Sequence, residues 1–426
     1  MGRNIVICAD GTGNAYARRP SNAARIVDLL AMAGEDRQVV AYDQGIGTDG
    51  ASWRKLKDRT GTDRALGNLH VLCGPHESWF PPVRWLGLAC GVVYGAGLRE
   101  NVRQMYEWLA GQCPGESDHV YLFGFSRGAF TVRALAGLLH RCGLPPANHA
   151  APDDFDAAWK LYDSIKLDAA KKAAFWENGR RRVCQIRFLG LWDTVKSYGG
   201  IRPVLLPHLR HNPIVQTVCH AMAMDEHRGW YDATSWGWLD HDQGIGAACA
   251  CGTDYAAARL DDSTKATLAE QEINEVWFSG SHSDVGGGNG NDATSEIALT
   301  WMLAEAALAG VALNFTGRRR LQAHTGKEWP RPTDSSAWWS RLVDRVPRKA
   351  IDNGHDWPRL KACVPGPIDR APHTLLRDGL VAVHASALTV PVGVAVKFVA
   401  TRAEEALHAA IAACAGLPSS RRGSSR

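Results

Sequence analysis

The chain has 426 residues, enough for one large α/β domain with insertions or for two domains. Its composition, with 45% hydrophobic and 22% charged residues, is that of an ordinary globular protein and excludes a disordered or fibrous chain. The formal net charge of +4 is too small to indicate nucleic-acid binding, so nucleic acid is not an expected partner. The same charge is compatible with weak attraction to an anionic membrane surface.

Cysteine usage and the first residues indicate where the chain is made. Its eleven cysteines are scattered and odd in number, which is typical of reduced, buried thiols in a protein made in the cytoplasm. Cys249 and Cys251 form the one close pair, which is a weak signal for a metal site. The chain enters a predicted strand at once, so we expect no signal peptide, and any export would use a system that needs none.

Short apolar runs alternate with segments of helical periodicity along most of the chain. The runs predict strands over residues 4–9, 38–42, 120–123, 183–192, 275–279, 381–389 and 392–399. The periodic segments predict helices over residues 21–32, 98–109, 131–139, 214–224 and 295–309. Because strands that alternate with helices form parallel sheets, the sequence predicts an α/β fold with a mostly parallel sheet and helices on both faces.

Four stretches interrupt this alternation and are predicted to be inserted cap segments, at about 49–97, 144–180, 200–270 and 316–375. The apolar, glycine-rich residues 83–98 are a candidate for a membrane-facing lip, and a buried helix packed on the sheet is the alternative. Residues 1–400 are therefore expected to form a single domain, followed by a C-terminal helix and a disordered tail over 401–426.

Residues 120–139 have the pattern of a nucleophile elbow. A predicted strand runs into a G-x-S-x-G match centred on Ser126, and a predicted helix follows. The two glycines, Gly124 and Gly128, allow a sharp turn that would place the Ser126 hydroxyl at the end of the strand. The backbone N–H of Arg127 would then help to bind an oxyanion. The alternative is a glycine-rich turn in which Ser126 only caps the helix.

A serine nucleophile needs a base, and the base needs an acid that orients it. In proteins with a nucleophile elbow, the acid and then the histidine follow the serine along the chain. Asp193 ends a predicted strand after Ser126, and His282 follows a later strand in a glycine-rich loop. Because the carboxyl ends of parallel strands meet at one edge of a sheet, we expect these three side chains to lie close together.

Other histidines and aspartates compete for these roles. His384 is the rival base, while Asp284 and Asp225 are rival acids. Two further roles are open to Asp284. It would hydrogen-bond to the backbone of its own loop, or it would support the catalytic histidine without contacting the substrate. His220 and His227 lie near the end of a predicted helix and are expected to be packing or capping residues.

The loop after the first strand is a candidate for the second oxyanion donor. Gly11 and Thr12 would supply the N–H group, and Asp10 would shape the turn; a plain turn capped by Asp10 is the alternative. A phosphatase of the haloacid-dehalogenase type would need an aspartate where Cys8 stands, which disfavours that activity. Asp10 together with the aspartates at 193 and 284 is also a weaker candidate for a divalent-cation site. No cofactor is expected.

Several motifs occur together and in order. They are DGT at 10–12, YDQG at 42–45, GAGL at 95–98, FGFSRGAF at 123–130, FLGLWDTV at 188–195, HAMAMDE at 220–226, WFSGSHSDVGGG at 277–288 and VHAS at 383–386. In this set the chain resembles a family of α/β-hydrolase-like proteins, formerly classed as a domain of unknown function, that includes phospholipase effectors of bacterial type VI secretion. The resemblance extends from residue 4 to about residue 390.

The resemblance implies an α/β-hydrolase-like fold and hydrolysis of glycerophospholipid esters. The catalytic motifs of the family fall on Ser126, Asp193 and His282. It further implies a lipid or ester substrate, transient contact with a membrane and, for an effector, an immunity protein or a secretion component as partner. An esterase for non-lipid esters and a non-catalytic binding module that keeps the fold are the alternatives.

Overall fold

The computed structural model describes most of the α/β core of the protein. The residues described are 2–11, 20–30, 37–45, 69–72, 92–112, 114–146, 153–164, 169–195, 198–199, 202–203, 206, 209, 212–228, 231, 233–236, 239–240, 244–245, 267, 270–290, 292–323, 348–352, 359–363, 381–384 and 396–399. The Cys249–Cys251 pair, Thr12 and the predicted C-terminal helix and tail over 401–426 lie outside these residues.

A nine-stranded parallel sheet forms the centre of the described structure. Its strands are β1 (Asn4–Ala9), β2 (Gln38–Asp43), β3 (Leu69–Leu72), β4 (His119–Phe125), β5 (Ile186–Trp192), β6 (Val215–Ala223), β7 (Glu272–Phe278), β8 (Val381–His384) and β9 (Val396–Val399). Their order across the sheet is β9-β8-β7-β6-β5-β4-β1-β2-β3. After β1 the chain continues with β2 and β3 on one side of β1, and it returns with β4 on the other side. Parallel sheets form ligand crevices at such a change of direction, outside the carboxyl ends of the two strands.

Helices cover both faces of this sheet. They are α1 (Asn22–Val27), α2 (Val92–Gln112), α3 (Arg127–Cys142), α4 (Asp154–Tyr162), α5 (Ala169–Asn178), α6 (His282–Gly286), α7 (Asp292–Leu308) and α8 (Phe315–Ala323). One apolar cluster joins the sheet to α1 and α7, and a second joins its other face to α2, α3 and α4. The predicted α/β fold, with a mostly parallel sheet between two helical layers, is confirmed.

The prediction of a helix over residues 214–224 is wrong, because this segment is strand β6. Its residues pair in register with β5 on one side and β7 on the other. A strand buried on both faces has no period-2 alternation, and its apolar run resembles that of a buried helix. The predicted insertion at 200–270 is therefore interrupted by a central strand of the sheet.

Other predicted insertions also contain regular structure. The stretch 49–97 contains edge strand β3 and the first residues of α2, and the stretch 144–180 contains α4 and α5. The segment 316–375 contains most of α8 and an antiparallel ribbon of Arg348–Asp352 with Arg359–Cys363. Across the described ranges, no helix is both long and apolar enough to cross a bilayer.

Candidate active site

Ser126 lies in a sharp turn between β4 and α3. Its φ of 58° is in the left-handed region, which a residue with a side chain adopts only when the surrounding structure holds it there. Two backbone hydrogen bonds hold this turn, from Ser126 N–H to the Trp192 carbonyl at 2.9 Å and from Phe130 N–H to the Ser126 carbonyl at 3.3 Å. The Ser126 hydroxyl does not cap the helix, so it is directed elsewhere.

The two glycines of the motif let other backbone approach this turn. A Cβ atom on Gly124 would lie 2.6 Å from the Cα of Ala129, and one on Gly128 would lie 2.4 Å from the carbonyl oxygen of Ala9. Both distances are far below normal van der Waals contact, so neither position accepts a side chain. The turn is thus pressed against the end of β1 on one side and against its own helix on the other.

The structure brings Ser126, His282 and Asp193 into one hydrogen-bonded chain. The Oγ of Ser126 is 2.8 Å from Nε2 of His282, and Nδ1 of His282 is 2.6 Å from Oδ2 of Asp193. The three residues are buried, with exposed fractions of 4%, 3% and 0% respectively. A hydroxyl, an imidazole and a carboxylate arranged in this order are what nucleophilic catalysis by serine requires.

Asp193 is held in place by backbone contacts from the neighbouring strand. Its N–H donates to the Ala221 carbonyl at 2.7 Å, and its Oδ1 accepts the N–H of Ala223 at 3.0 Å. Its φ is 40°, so this residue also occupies the left-handed region. With Oδ1 fixed by the strand, the carboxylate can direct Oδ2 at the imidazole of His282.

His282 begins the short helix α6, where a glycine-rich loop was expected. The side chain of Asp284 organises the start of this helix, because its Oδ2 accepts the N–H and the hydroxyl of Ser281, each at 3.1 Å. Its Oδ1 accepts hydrogen bonds from Asn289 and Thr294. Asp284 therefore hydrogen-bonds to the backbone of its own loop, which is one of the roles predicted for it.

Two aromatic rings hold the imidazole plane. The ring centroids of Phe125 and Tyr231 lie 4.7 Å and 4.8 Å from that of His282, the latter in an edge-on arrangement. A Cβ on Gly286 would lie 1.8 Å from the Phe125 ring, so α6 approaches this ring closely. Burial is the main cause that lowers the pKa of His282 from its ordinary value of 6.5, and the hydrogen bond and charge of Asp193 oppose it.

Glu226 and Arg228 form a buried ion pair next to this histidine, which the sequence did not reveal. Oε2 of Glu226 accepts the backbone N–H of His282 at 3.2 Å, and both of its oxygens accept from the Arg228 guanidinium at 2.7–2.8 Å. The guanidinium carbon lies 3.9 Å from the centroid of the Tyr231 ring. Burial tends to raise the pKa of Glu226, but the hydrogen bonds and charge of Arg228 outweigh it and hold that pKa below its ordinary value.

The loop after β1 differs from the prediction for Gly11. The Gly11 N–H donates to Oδ1 of Asp10 at 2.6 Å, so this single amide hydrogen is already used within the loop. Asp10 also accepts the hydroxyls of Ser21 at 2.6 Å and Tyr42 at 2.7 Å. These contacts are those of a turn capped by Asp10, which was the alternative for this loop.

A second buried carboxyl group, that of Asp43, lies at the end of β2. It accepts a hydrogen bond from the side chain of Asn101 at 2.7 Å. Burial is the main cause that raises the pKa of Asp43 to about 7; the hydrogen bond from Asn101 lowers it and the nearby charge of Asp10 raises it further. Three donors contact the carboxylate of Asp10, whereas that of Asp43 accepts the one hydrogen bond from Asn101.

The rival acid Asp225 and the rival base His384 lie after the end of β6 and at the end of β8, respectively. Asp225 accepts the N–H of Gly280 at 2.6 Å and fixes the turn after β7. His384 is the last residue of β8. His220, expected to be a packing or capping residue, is buried within β6 and contacts Glu275. Among the described residues, no group of three or more His, Cys, Asp or Glu side chains is arranged to hold a metal ion.

The chain is similar to several known proteins. One curated relative, an uncharacterized protein of Saccharomyces cerevisiae, is 28% identical over 240 residues, which are 54% of this chain and 32% of the relative. A crystal structure of an uncharacterized protein from Pseudomonas aeruginosa has 20% identity and a TM-score of 0.39, covering 74% of this chain and 46% of that chain. The Tle1 effector bound to the VgrG spike of the type 6 secretion system has 19% identity and a TM-score of 0.30, covering 68% and 51%.

The chain thus spans 32% of the curated relative and about half of each of these two solved chains. The family model described as the catalytic domain of Tle1-like phospholipase effectors of type VI secretion matches residues 3–305. This match covers well over half of the chain and confirms the resemblance seen in its motifs. The chain belongs to the Tle1-like catalytic-domain family of type VI secretion phospholipase effectors.

Proposed function

We propose that the chain is a serine hydrolase that cleaves carboxyl esters of phospholipids or other lipids. The observation that carries this proposal is the hydrogen-bonded chain from Ser126 Oγ through His282 to Asp193, built on a nucleophile elbow. Membership of the Tle1-like family supports a lipid as the source of the ester. The side-chain contacts support the chemistry, and the family supports the substrate class.

The reaction would proceed through an acyl-enzyme. Ser126 Oγ attacks the ester carbonyl while Nε2 of His282 takes the hydroxyl proton, and the imidazolium then gives this proton to the leaving alcohol. A water molecule, deprotonated by the same nitrogen, attacks the acyl-enzyme and releases the carboxylic acid and Ser126. The backbone N–H of Arg127, the first residue of α3, is the proposed donor to the oxyanion.

Charge around the imidazole favours this proton transfer. Asp193 holds the Nδ1 proton and would stabilise the imidazolium that forms when Ser126 is deprotonated. Glu226 adds a second negative charge beside His282, and Arg228 neutralises part of it. Because burial disfavours the charged ring in the resting state, His282 is kept in the neutral form that can accept a proton.

A binding module that has lost turnover would not need this arrangement. His282 contacts Ser126 at 2.8 Å, and the backbone is strained at Ser126 and Asp193. A purely structural turn would gain no stability from either feature. By family membership we further propose export without a signal peptide, transient contact with a membrane, and an immunity protein or secretion component as partner.

A fluorophosphonate probe and a lipid assay test the proposal together. We expect the probe to label the chain once, on the peptide that contains Ser126, because activated serines react with such phosphonates. We also expect fatty acid release from glycerophospholipid in mixed micelles. Labelling at another residue would contradict the site. Hydrolysis of p-nitrophenyl butyrate without release of fatty acid from phospholipid would instead identify a non-lipid carboxylesterase.

The pH dependence of hydrolysis follows from the lowered pKa of His282. The imidazole must be neutral to act as a base, and burial makes protonation harder, so the active form persists to lower pH than for an exposed histidine. We expect the acid limb of kcat/KM for p-nitrophenyl butyrate to have its midpoint below pH 6.5, the ordinary value for this group. A midpoint at or above that value would contradict the assigned environment.

A further inference from the structure

A second imidazole–carboxylate pair lies one strand away from Asp193. His220 on β6 and Glu275 on β7 are direct neighbours in the parallel register, and Nδ1 of His220 is 2.8 Å from Oε1 of Glu275. Both side chains are buried, with exposed side-chain fractions of 0% and 1%. The mechanism proposed above uses neither residue.

The other ring nitrogen of His220 contacts the turn that carries the catalytic acid. The backbone N–H of Thr194, the residue after Asp193, donates to Nε2 of His220 at 3.1 Å. Since Nε2 accepts this hydrogen bond, it carries no proton, and the proton of the neutral ring resides on Nδ1, facing Glu275. A proton on Nε2 would point at the amide hydrogen of Thr194.

The turn itself needs external support. Asp193 has a φ of 40°, a conformation that costs a residue with a side chain free energy unless its neighbours fix it. Thr194, the next residue, is bonded at its carbonyl as well as at its N–H, because the carbonyl accepts the N–H of Thr234 at 2.8 Å. Both backbone groups of Thr194 are therefore bonded, and the N–H is bonded by a side chain.

Glu275 fixes the orientation of the imidazole in turn. Besides Nδ1 of His220, its Oε1 accepts the backbone N–H of Trp236 at 2.5 Å. A carboxylate with two donors is held firmly, so it sets both the tautomer and the ring angle of His220. A continuous hydrogen-bonded path thus runs from Glu275 through His220 and the Thr194 amide to the backbone of Asp193.

We propose that His220, oriented by Glu275, is a positioning residue that holds the Asp193–Thr194 turn so that the Asp193 carboxylate meets His282. The inference rests on the proposed serine-hydrolase function. His220 touches neither Ser126 nor His282 in the described contacts and acts through Asp193. Its contribution is geometric, because an error of about 1 Å in a catalytic group lowers rates by about 10²-fold.

Two substitutions of His220 separate this role from simple packing. His220→Gln keeps an acceptor for the Thr194 amide and a donor for Glu275, whereas His220→Met keeps the volume and loses both. With p-nitrophenyl butyrate as substrate, we expect the methionine variant to lose about 10²-fold in kcat, with KM changed less than about twofold. We expect kcat of the glutamine variant to stay within about fivefold of the wild-type value. His119→Met, at the exposed start of β4, is the matched control and should leave kcat unchanged.

A double-mutant cycle with Asp193→Asn tests the path. If His220 acts through Asp193, the methionine substitution should cost less than about threefold in the Asp193→Asn background, because residues that act as a unit are not additive. A full additional loss of about 10²-fold in that background would overturn the proposal, as would equal kcat values for the methionine variant and wild type.

Folding of the variants is checked by thermal unfolding, since His220→Met removes one of the hydrogen-bond donors of the buried Glu275 carboxyl group. If that variant does not fold, His220→Met with Glu275→Gln is compared with Glu275→Gln alone, and a kcat loss is again expected. Failure of the proposed function is distinguishable: the wild-type chain itself would then neither hydrolyse the ester nor react with a fluorophosphonate at Ser126.

Discussion

Replacing Ser126 with alanine is expected to lower kcat for ester hydrolysis by about 10⁴- to 10⁶-fold, the range seen when a serine nucleophile is removed. The hydroxyl contacts His282, and no other atom of this residue takes part in the proposed chemistry. Alanine keeps the Cβ atom and the backbone turn, so we expect the free energy of unfolding to change by no more than about 1 kcal/mol. Initial rates with p-nitrophenyl butyrate and urea unfolding of the same preparation measure the two effects.

Ser283→Ala is the control for this experiment. Ser283 is half-buried and directly follows His282, so its replacement perturbs the same short helix without removing the hydroxyl that faces the imidazole. We expect it to retain activity within about threefold. Full activity of Ser126→Ala, or an equal loss in both variants, would show that Ser126 is not the nucleophile.

Gly128→Ala is expected to have the largest effect on stability. Its Cβ would lie 2.4 Å and 2.5 Å from the carbonyl oxygens of Ala9 and Asp10, and neither is the end of a flexible side chain. Since both carbonyls belong to backbone at the end of β1, relief would require α3 to move away from the sheet. We expect a loss of at least about 3 kcal/mol in urea unfolding, together with a loss of activity from displacement of Ser126.

Gly111→Ala gives the matched comparison. Gly111 lies near the end of α2, and among the described residues no heavy atom would come within 4 Å of an added Cβ, apart from its chain neighbours and its own helix. Alanine there should raise stability by up to about 1 kcal/mol, because it restricts the unfolded chain and favours helix. A similar loss for both variants would contradict the close approach of β1 to Gly128.

Much of the site could be predicted because parallel sheets place strand ends at one edge. Ser126, Asp193 and His282 follow β4, β5 and β7, so their meeting depended only on recognising three strands and their carboxyl ends. That inference did not need the positions of side chains. The left-handed backbone at Ser126 was likewise foreseeable from the two glycines around it.

Other parts of the site were hidden by the error over residues 214–224. The carboxyl half of β6 contains alanine and methionine, which favour helices, and its burial removes the alternation that identifies an exposed strand. The predicted helix made His220 a packing or capping residue. A predicted strand would have placed His220 next to the end of β5, and Glu226 after the carboxyl end of β6, near the proposed catalytic residues.

The prediction for Gly11 depends on a detail that the sequence does not contain. The sequence indicates a turn after β1 but not the direction in which each N–H group points. In the structure the Gly11 N–H donates to Asp10, whereas the prediction has it donate to an oxyanion. Such choices depend on competition between acceptors a few ångströms apart. Sequence spacing has no information at that scale.

The large sequence separations between the contacting residues have a consequence for folding kinetics. His282 contacts Ser126 across 156 residues and Asp193 across 89 residues. Contacts this remote in sequence form late, because long loops must close before parallel strands can pair. In a nascent or partly folded chain, His282 would therefore still be remote from Ser126, and the proposed hydrolysis would begin only once β4 to β7 have assembled.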